Sequence, residues 1–206
     1  MFETLKSAFR VKEMRRKLLY LLAMIFVIRI GSQLPIPGVD GSVFKQWFKS
    51  NTGDAFNFFD AFTGGSFESM SVFALNITPY ITSSIIVQLL TIAIPKLEEM
   101  QKDGEDGRKK INEYTRYLSI ALAVIEGAAI VIGSRNQGLF GTNNPQSSMT
   151  TAIVVAVAAL TAGAAFMMWL GEQITEKGVG NGISLIIMIG IIARLPQAFV
   201  QEVTSR

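Results

Sequence analysis

Three ionisable side chains stand in or beside otherwise apolar runs: Arg29, Glu126 and Arg194. Glu126, in SIALAVIEGAAI (residues 119–130), is mid-run and cannot reach far toward water. A carboxylate so placed either serves a function or stays protonated and hydrogen-bonded between helices. Arg29 and Arg194 stand nearer the ends of their runs, where a long stem lets the charge reach the interface, and both read as anchors. Uncharged polar groups gather in ALNITPYITSSIIVQLL (74–90), which sets Asn76, Thr78, Pro79, Tyr80, Thr82, Ser83, Ser84 and Gln88 among aliphatics. A helix that only anchored the chain in lipid would have little use for them. They serve either helix–helix packing or a face turned to the bundle interior or water. The chain has no Cys and no His. That removes thiol catalysis, thiolate metal sites, the commonest general base and the commonest metal ligand. An enzyme, a cofactor and a metal centre are therefore not expected.

Composition says what must position these groups. Half of the 206 residues are hydrophobic and only 17% are charged, against about 25% in a soluble domain. The mean hydropathy is +0.38, and long stretches are nearly free of charge, the pattern of a membrane protein. The net charge of +3 is too small to argue for nucleic acid. Five apolar runs, 18–34, 72–94, 114–133, 150–170 and 183–200, each approach the ~20 residues needed to cross hydrocarbon. The first two stop before Pro35 and Pro95.

Basic residues alternate between the connections. Segment 1–17 holds six Lys/Arg and 95–117 six, whereas 35–71 holds two and 134–149 one. The positive-inside rule then puts the N-terminus and the 95–117 and 171–182 connections in the cytoplasm, and the end of the chain outside. Within 1–17, Phe2, Leu5 and Phe9 share one side of a helix ringed by Lys6, Arg10, Lys12, Arg15, Arg16 and Lys17. The pattern reads as an amphipathic helix on an anionic membrane surface, or as a solvated basic tail.

In the outer segment 35–71, Phe44, Trp47 and Phe48 fall at i, i+3, i+4 and predict an interfacial helix. Gly64 and Gly65 then break the chain, and Phe67, Met70 and Phe73 follow at a spacing of three, which predicts a short half-helix before the second span. Broken helices survive at membrane depth only where protein or a water-filled cavity completes their hydrogen bonds. On a wheel of about 100° per residue, Ile81 and Ile85 share a face with Ala74, Thr78 and Gln88 close by. The fourth span carries the small pairs Ala152/Ala156 and Ala159/Gly163, which predict close helix approach. The glycines of GEQITEKGVGNGIS (171–184) read as a helix break, with Asn181 as N-cap of the last span. A phosphate loop would need a preceding strand and a GK[ST] ending.

PIPGVD (35–40), ALNITPYITSSIIVQLL (74–90), GEDGRKKINEYTRYL (104–118) and WLGEQITEKGVGNGISLII (169–187) together resemble the SecY family of bacterial protein-conducting channel subunits, in order and in topology. The resemblance implies an all-α polytopic membrane protein whose five transmembrane helices form one half of an inverted-repeat clamshell channel, in the bacterial plasma (inner) membrane. It implies that Ile81, Ile85, Ile183 and Ile187 contribute to an aliphatic pore ring. Such a ring dewets, resists ions, and deforms around an arbitrary polypeptide. It implies a plug at Gly64, Gly65, Phe67, Met70 and Phe73. It also implies a lateral gate for apolar segments, with Thr82, Ser84, Gln88 and Glu126 as candidates for its polar lining; Asn76 and Thr78 receive no role. The implied partners are a C-terminal half of the channel, small SecE- and SecG-type subunits, a SecA motor or the ribosome, signal peptides, unfolded preproteins and lipid. The chain stops after the fifth span, with 201–206 as an external tail or the start of a hinge. It is expected either to be part of a longer protein or to need a companion half. A secondary transporter half and a non-conducting scaffold are the competing readings.

Overall fold

The computed structural model describes residues 11–36, 39, 41, 44–46, 60–136 and 146–204, with side chains described over 11–36, 39, 41, 44–46, 60–135 and 150–193. These residues form the helices α1 (Lys12–Gly31), α2 (Thr78–Ala93), α3 (Pro95–Lys102), α4 (Glu105–Asn136), α5 (Gln146–Lys177) and α6 (Gly182–Thr204). Among the described residues the one piece of β pairing is an isolated antiparallel bridge between Pro35 and Ser71. The architecture is all-helical and largely apolar.

Local chemistry explains the helix ends. Pro79 opens α2, where a missing N–H costs nothing. Ile94 is extended (φ −112°, ψ 110°), as a residue before proline must be, and α3 leaves at 103° to α2. Asn181 Oδ1 accepts from the Ile183 and Ser184 amides at 3.0 and 3.4 Å and caps α6, as its position in the sequence implied. α4 and α5 overrun their apolar stretches because nothing breaks them: α5 continues through Glu172 and Glu176 until Gly178. By length and apolarity alone, α4 over 105–135 and α5 over 150–177 can each cross a membrane, and α2 with α3 passes as a bent pair. α1 carries too much charge at its start, and the described side chains of α6 give an apolar helix of only 182–193. Hydropathy marks where lipid lies, not where a helix stops.

α2 packs chiefly on α4, α4 on α5, α5 on α6, and α1 on α5. The buried stripe of α2 is Pro79, Ser83, Val87 and Thr91. On α4 the buried positions Thr115, Ser119, Ala123 and Gly127 recur every fourth residue. Small side chains thus let the two backbones approach, while Ser83, Thr91, Thr115 and Ser119 satisfy themselves on carbonyls of their own helices.

The half-helix expected after Gly64 and Gly65 is not a helix. Only residues 60–63 make a helical turn; 64–70 and 72–77 run as successive turns. The reason is backbone handedness: Gly64 (φ 65°) and Gly65 (φ 89°) are left-handed, and so are Met70 (φ 44°) and Asn76 (φ 50°). For the two non-glycines such backbone costs about 1–3 kcal/mol each, so surrounding contacts must enforce it. Those contacts exist. The Ile36 amide donates to the Met70 carbonyl and the Val72 amide to the Leu34 carbonyl, both at 3.0 Å. Phe67, Met70 and Ala74 enter one core cluster with Ile36, Ala123, Ala156 and Leu160; Phe73 enters another with Ile77, Met167, Leu170 and Ile186. α2 therefore starts at Thr78, six positions later than the span expected from 72, and Ala74 does not lie on its face.

The small stripe of α5 meets this segment directly. A Cβ on Gly163 would lie 2.0 Å from the Val72 carbonyl oxygen. Gly163→Ala is expected to cost about 1–3 kcal/mol, the range for overpacking, read as a lower midpoint of thermal unfolding in detergent. An unchanged midpoint would mean the two backbones are not in contact.

Candidate pore face

Ile81 and Ile183 come from different helices and border the same buried cluster of Phe73, Ile77, Met167, Leu170, Ile174 and Ile186. Ile85, one turn further along α2, is 53% exposed and Ile187 is half-buried. Of the four isoleucines, Ile81, Ile183 and Ile187 are half-buried and Ile85 is the open one. Around Ile85, α2 also exposes Gln88, Leu89, Leu90 and Ile92. This side of the helix finds no cover among the described residues, in contrast to the Ser83–Val87–Thr91 side.

Of the gate candidates, Gln88 Nε2 donates to Ser84 Oγ at 3.4 Å on that open side, whereas Thr82 bonds back to the Thr78 carbonyl at 3.1 Å. Glu126, on α4, is half-buried, and no hydrogen bond joins it to another described residue. It stands apart from the Ser84–Gln88 pair in the hydrogen-bond pattern.

The residues expected in a plug are brought together. Phe67, Met70 and Phe73 are buried, with Phe67 edge-on to Phe44 at 5.8 Å and Phe73 stacked on Phe166 at 5.9 Å. Phe44 is accordingly not an interfacial anchor; its ring is taken by the segment it precedes. Trp47, Phe48 and residues 1–10 lie outside the described residues, as does the Arg194 side chain. Gly64 and Gly65 make the turn in front of this cluster.

One residue emerges that sequence reasoning passed over, and one that it read as an anchor takes another place. Asp60 is 2% exposed; its Oδ1 accepts from the Glu68 amide at 2.8 Å and lies 3.4 Å from Thr63 Oγ1. The Thr63 hydroxyl in turn donates to the Asp60 carbonyl and accepts from the Phe67 amide. A lone acid in the aromatic run NFFDAFTGG was the available signal. Arg29, read as an anchor, is tied to two carbonyls. Its Nη2 donates to the Ile189 carbonyl at 3.0 Å and its Nη1 reaches the Gly64 carbonyl at 3.5 Å.

At the far end of the bundle, Arg116 of α4 makes a bidentate pair with Glu172 of α5, Nε to Oε1 at 2.7 Å. With the guanidinium half exposed, Glu172→Gln is expected to cost no more than about 1 kcal/mol. A thermal shift larger than that range allows would assign the pair a structural role beyond an ordinary surface bridge.

The comparisons with known proteins bear on this geometry. The SecY family model matches residues 71–206, from the end of the turn segment through α6. The protein translocase subunit SecY of Pseudomonas aeruginosa is 45% identical over 195 residues, covering 95% of this chain and 43% of the relative. That of Aquifex aeolicus is 42% identical, covering 98% and 47%, and that of Escherichia coli K12 is 45% identical, covering 93% and 43%. The chain spans somewhat under half the length of these relatives. The isoleucines of α2 and α6 and the turn between Lys177 and Gly182 all fall inside the matched region, and the chain belongs to the SecY family.

Proposed function

We propose that this chain supplies one half of a protein-conducting pore in the bacterial inner membrane, passing unfolded polypeptides and releasing apolar segments sideways into lipid. The observation that carries the reading is the convergence of Ile81 and Ile183, from two helices, on the cluster that holds Phe73 of the turn segment. Two of the ring residues and one plug residue, Phe73, thus share a packing unit, while Phe67 and Met70 pack in the neighbouring cluster. Ile187 continues the ring on the second helix, and Ile85 extends it into the open, where a second half would face it. Segment 60–77 is the plug, built of turns in place of a half-helix. The open α2 side with Ser84 and Gln88 is one jaw of the lateral gate, and Glu126 is a further candidate for its lining.

The N-terminus is cytoplasmic and the end of the chain outside, with five crossings over 18–34, 78–94, 114–133, 150–170 and 183–200. The Arg116–Glu172 pair supports this, since it ties together the two segments that the charge bias puts on one side. Partners follow from the same reading: a C-terminal half, SecE- and SecG-type subunits, a SecA motor or ribosome, and preproteins with signal peptides.

The test uses the absence of cysteine. Ile85→Cys is introduced into membranes carrying both halves, and a stalled precursor with one Cys is supplied. A disulfide between them is the expected result. Its absence, with both halves assembled and the precursor engaged, would remove Ile85 from the pore.

A further inference from the structure

Resting on the reading of 60–77 as a plug, we infer that Arg29 is its latch: a positioning residue that ties the plug to α1 and α6 through backbone carbonyls. Three elements meet at this guanidinium. Arg29 stands on α1, Gly64 in the plug turn, and Ile189 on α6, separated by 35 and 160 positions in sequence. One planar group with five donors is suited to hold two carbonyls at once. The ion pairs among the described residues do not include Arg29, so its bonds are to neutral oxygens. Such bonds hold without the deep well of a buried ion pair and can be given up to water.

The seat beside the latch has the form of a release surface. Gly64 lies against Gly190 backbone to backbone: a Cβ on Gly190 would be 2.7 Å from the Phe62 carbonyl oxygen, and one on Gly64 would be 3.2 Å from the Gly190 Cα. At this contact two glycine surfaces meet with no side chain of either between them. Next to them is a small cavity of ≈ 20 Å³ lined by Arg29, Ser32, Thr63, Ser66, Asn76 and Gly190, among others. Asn76 is 7% exposed and left-handed. Its Nδ2 donates to the Phe62 carbonyl at 3.2 Å, while its Oδ1 is buried with no donor among the described residues. Phe67 and Met70 seat the rest of the segment in an apolar cluster, but this junction, with strained backbone and an unmatched acceptor, is weaker than such a core. The Arg29 bonds supply the difference, which makes Arg29 the control point of plug release.

The test needs no precursor, so its outcome is separate from that of the Ile85 crosslink. In complete two-half channels in vesicles, Ser66→Cys reports plug release and Ala156→Cys reports general opening of the helix bundle; both positions are buried. Labelling is by a membrane-impermeant maleimide from the outer side. Arg29→Met is expected to raise labelling of the Ser66→Cys site at least tenfold with the Ala156→Cys site unchanged. Arg29→Lys, which keeps the charge but lacks the fork, is expected to fall between. Gly190→Ala, which pushes on the Phe62 carbonyl without touching Arg29, is expected to raise labelling too, and serves as the reading if Arg29→Met does not assemble. Unchanged labelling at Ser66→Cys, or an equal rise at both reporters, would overturn the latch and leave Arg29 as a structural tie.

Discussion

Ile85→Asp, placed in a complete channel, is expected to raise resting cation conductance at least about tenfold while leaving folding nearly intact. The two halves of that expectation have separate grounds. Ile85 is 53% exposed in this half, so the substitution breaks little of the packing within it. The conductance effect comes from the loss of a dry gasket and from the new charge. A carboxylate about 4 Å from a passing cation contributes about 4 kcal/mol at an effective dielectric constant of 20. Since 1.4 kcal/mol is a factor of ten, even a fraction of that attraction meets the expected rise. Ile85→Lys should leak as well, but with the preference turned from cations to anions. Bilayer conductance with ion-substitution reversal potentials reads both signs. A leak with the same selectivity in both variants would come from a loosened fold, and no leak in either would favour a scaffold. Ile81 is the poorer probe because it borders the cluster of Phe73 and Ile186. A charge there must be desolvated, and damage to folding would mix with damage to the gasket.

The contrast between Ile81 and Ile85 also shows how far the sequence could be read. The wheel put both on one face, and periodicity alone could go no further, because exposure along a face depends on where neighbouring helices end. Helix existence was legible because hydropathy and charge alternation are strong signals over long runs. The start of α2 was not. Residues 72–77 are apolar and compatible with helix, yet Met70 and Asn76 adopt left-handed backbone that only tertiary contacts with Ile36, Leu34 and Phe62 enforce. The same limit applies to Arg29. An arginine near a span end reads as an interfacial anchor until a carbonyl from another helix, 160 positions away, is seen within reach. Asp60 was hidden for the opposite reason: the Glu68 amide and the Thr63 hydroxyl that meet its carboxylate are local, but they belong to a turn that no periodic pattern announces.

Asp60→Ala is expected to unfasten the plug segment without unfolding the helices around it. Asp60 Oδ1 receives the Glu68 amide at 2.8 Å and lies 3.4 Å from the Thr63 hydroxyl. The Asp60 carbonyl receives the Gly65 amide at 3.2 Å. Alanine keeps the last of these and loses the first two. The Glu68 amide then loses its 2.8 Å bond to the carboxylate in a part-buried site. Hydrogen bonds to a charged group contribute about 1.5–3 kcal/mol, and the lost Thr63 contact adds to that, so a local loss of about 2–4 kcal/mol is expected. In native-state hydrogen exchange this is a fall in protection of about 30- to 900-fold for the amides between Gly65 and Ser71, with α4 and α5 unchanged. Asp60→Asn separates the two possible causes. Its side-chain oxygen can accept the same amide and hydroxyl, so protection should stay within about tenfold of the parent if acceptor geometry holds the turn. If asparagine behaves like alanine, the negative charge itself is required, and the turn is held by electrostatics beyond these two bonds. If alanine changes nothing, the aromatic contacts of Phe67 and the Gly64–Gly190 seat hold the plug by themselves, and Asp60 loses its place as the turn's fastening.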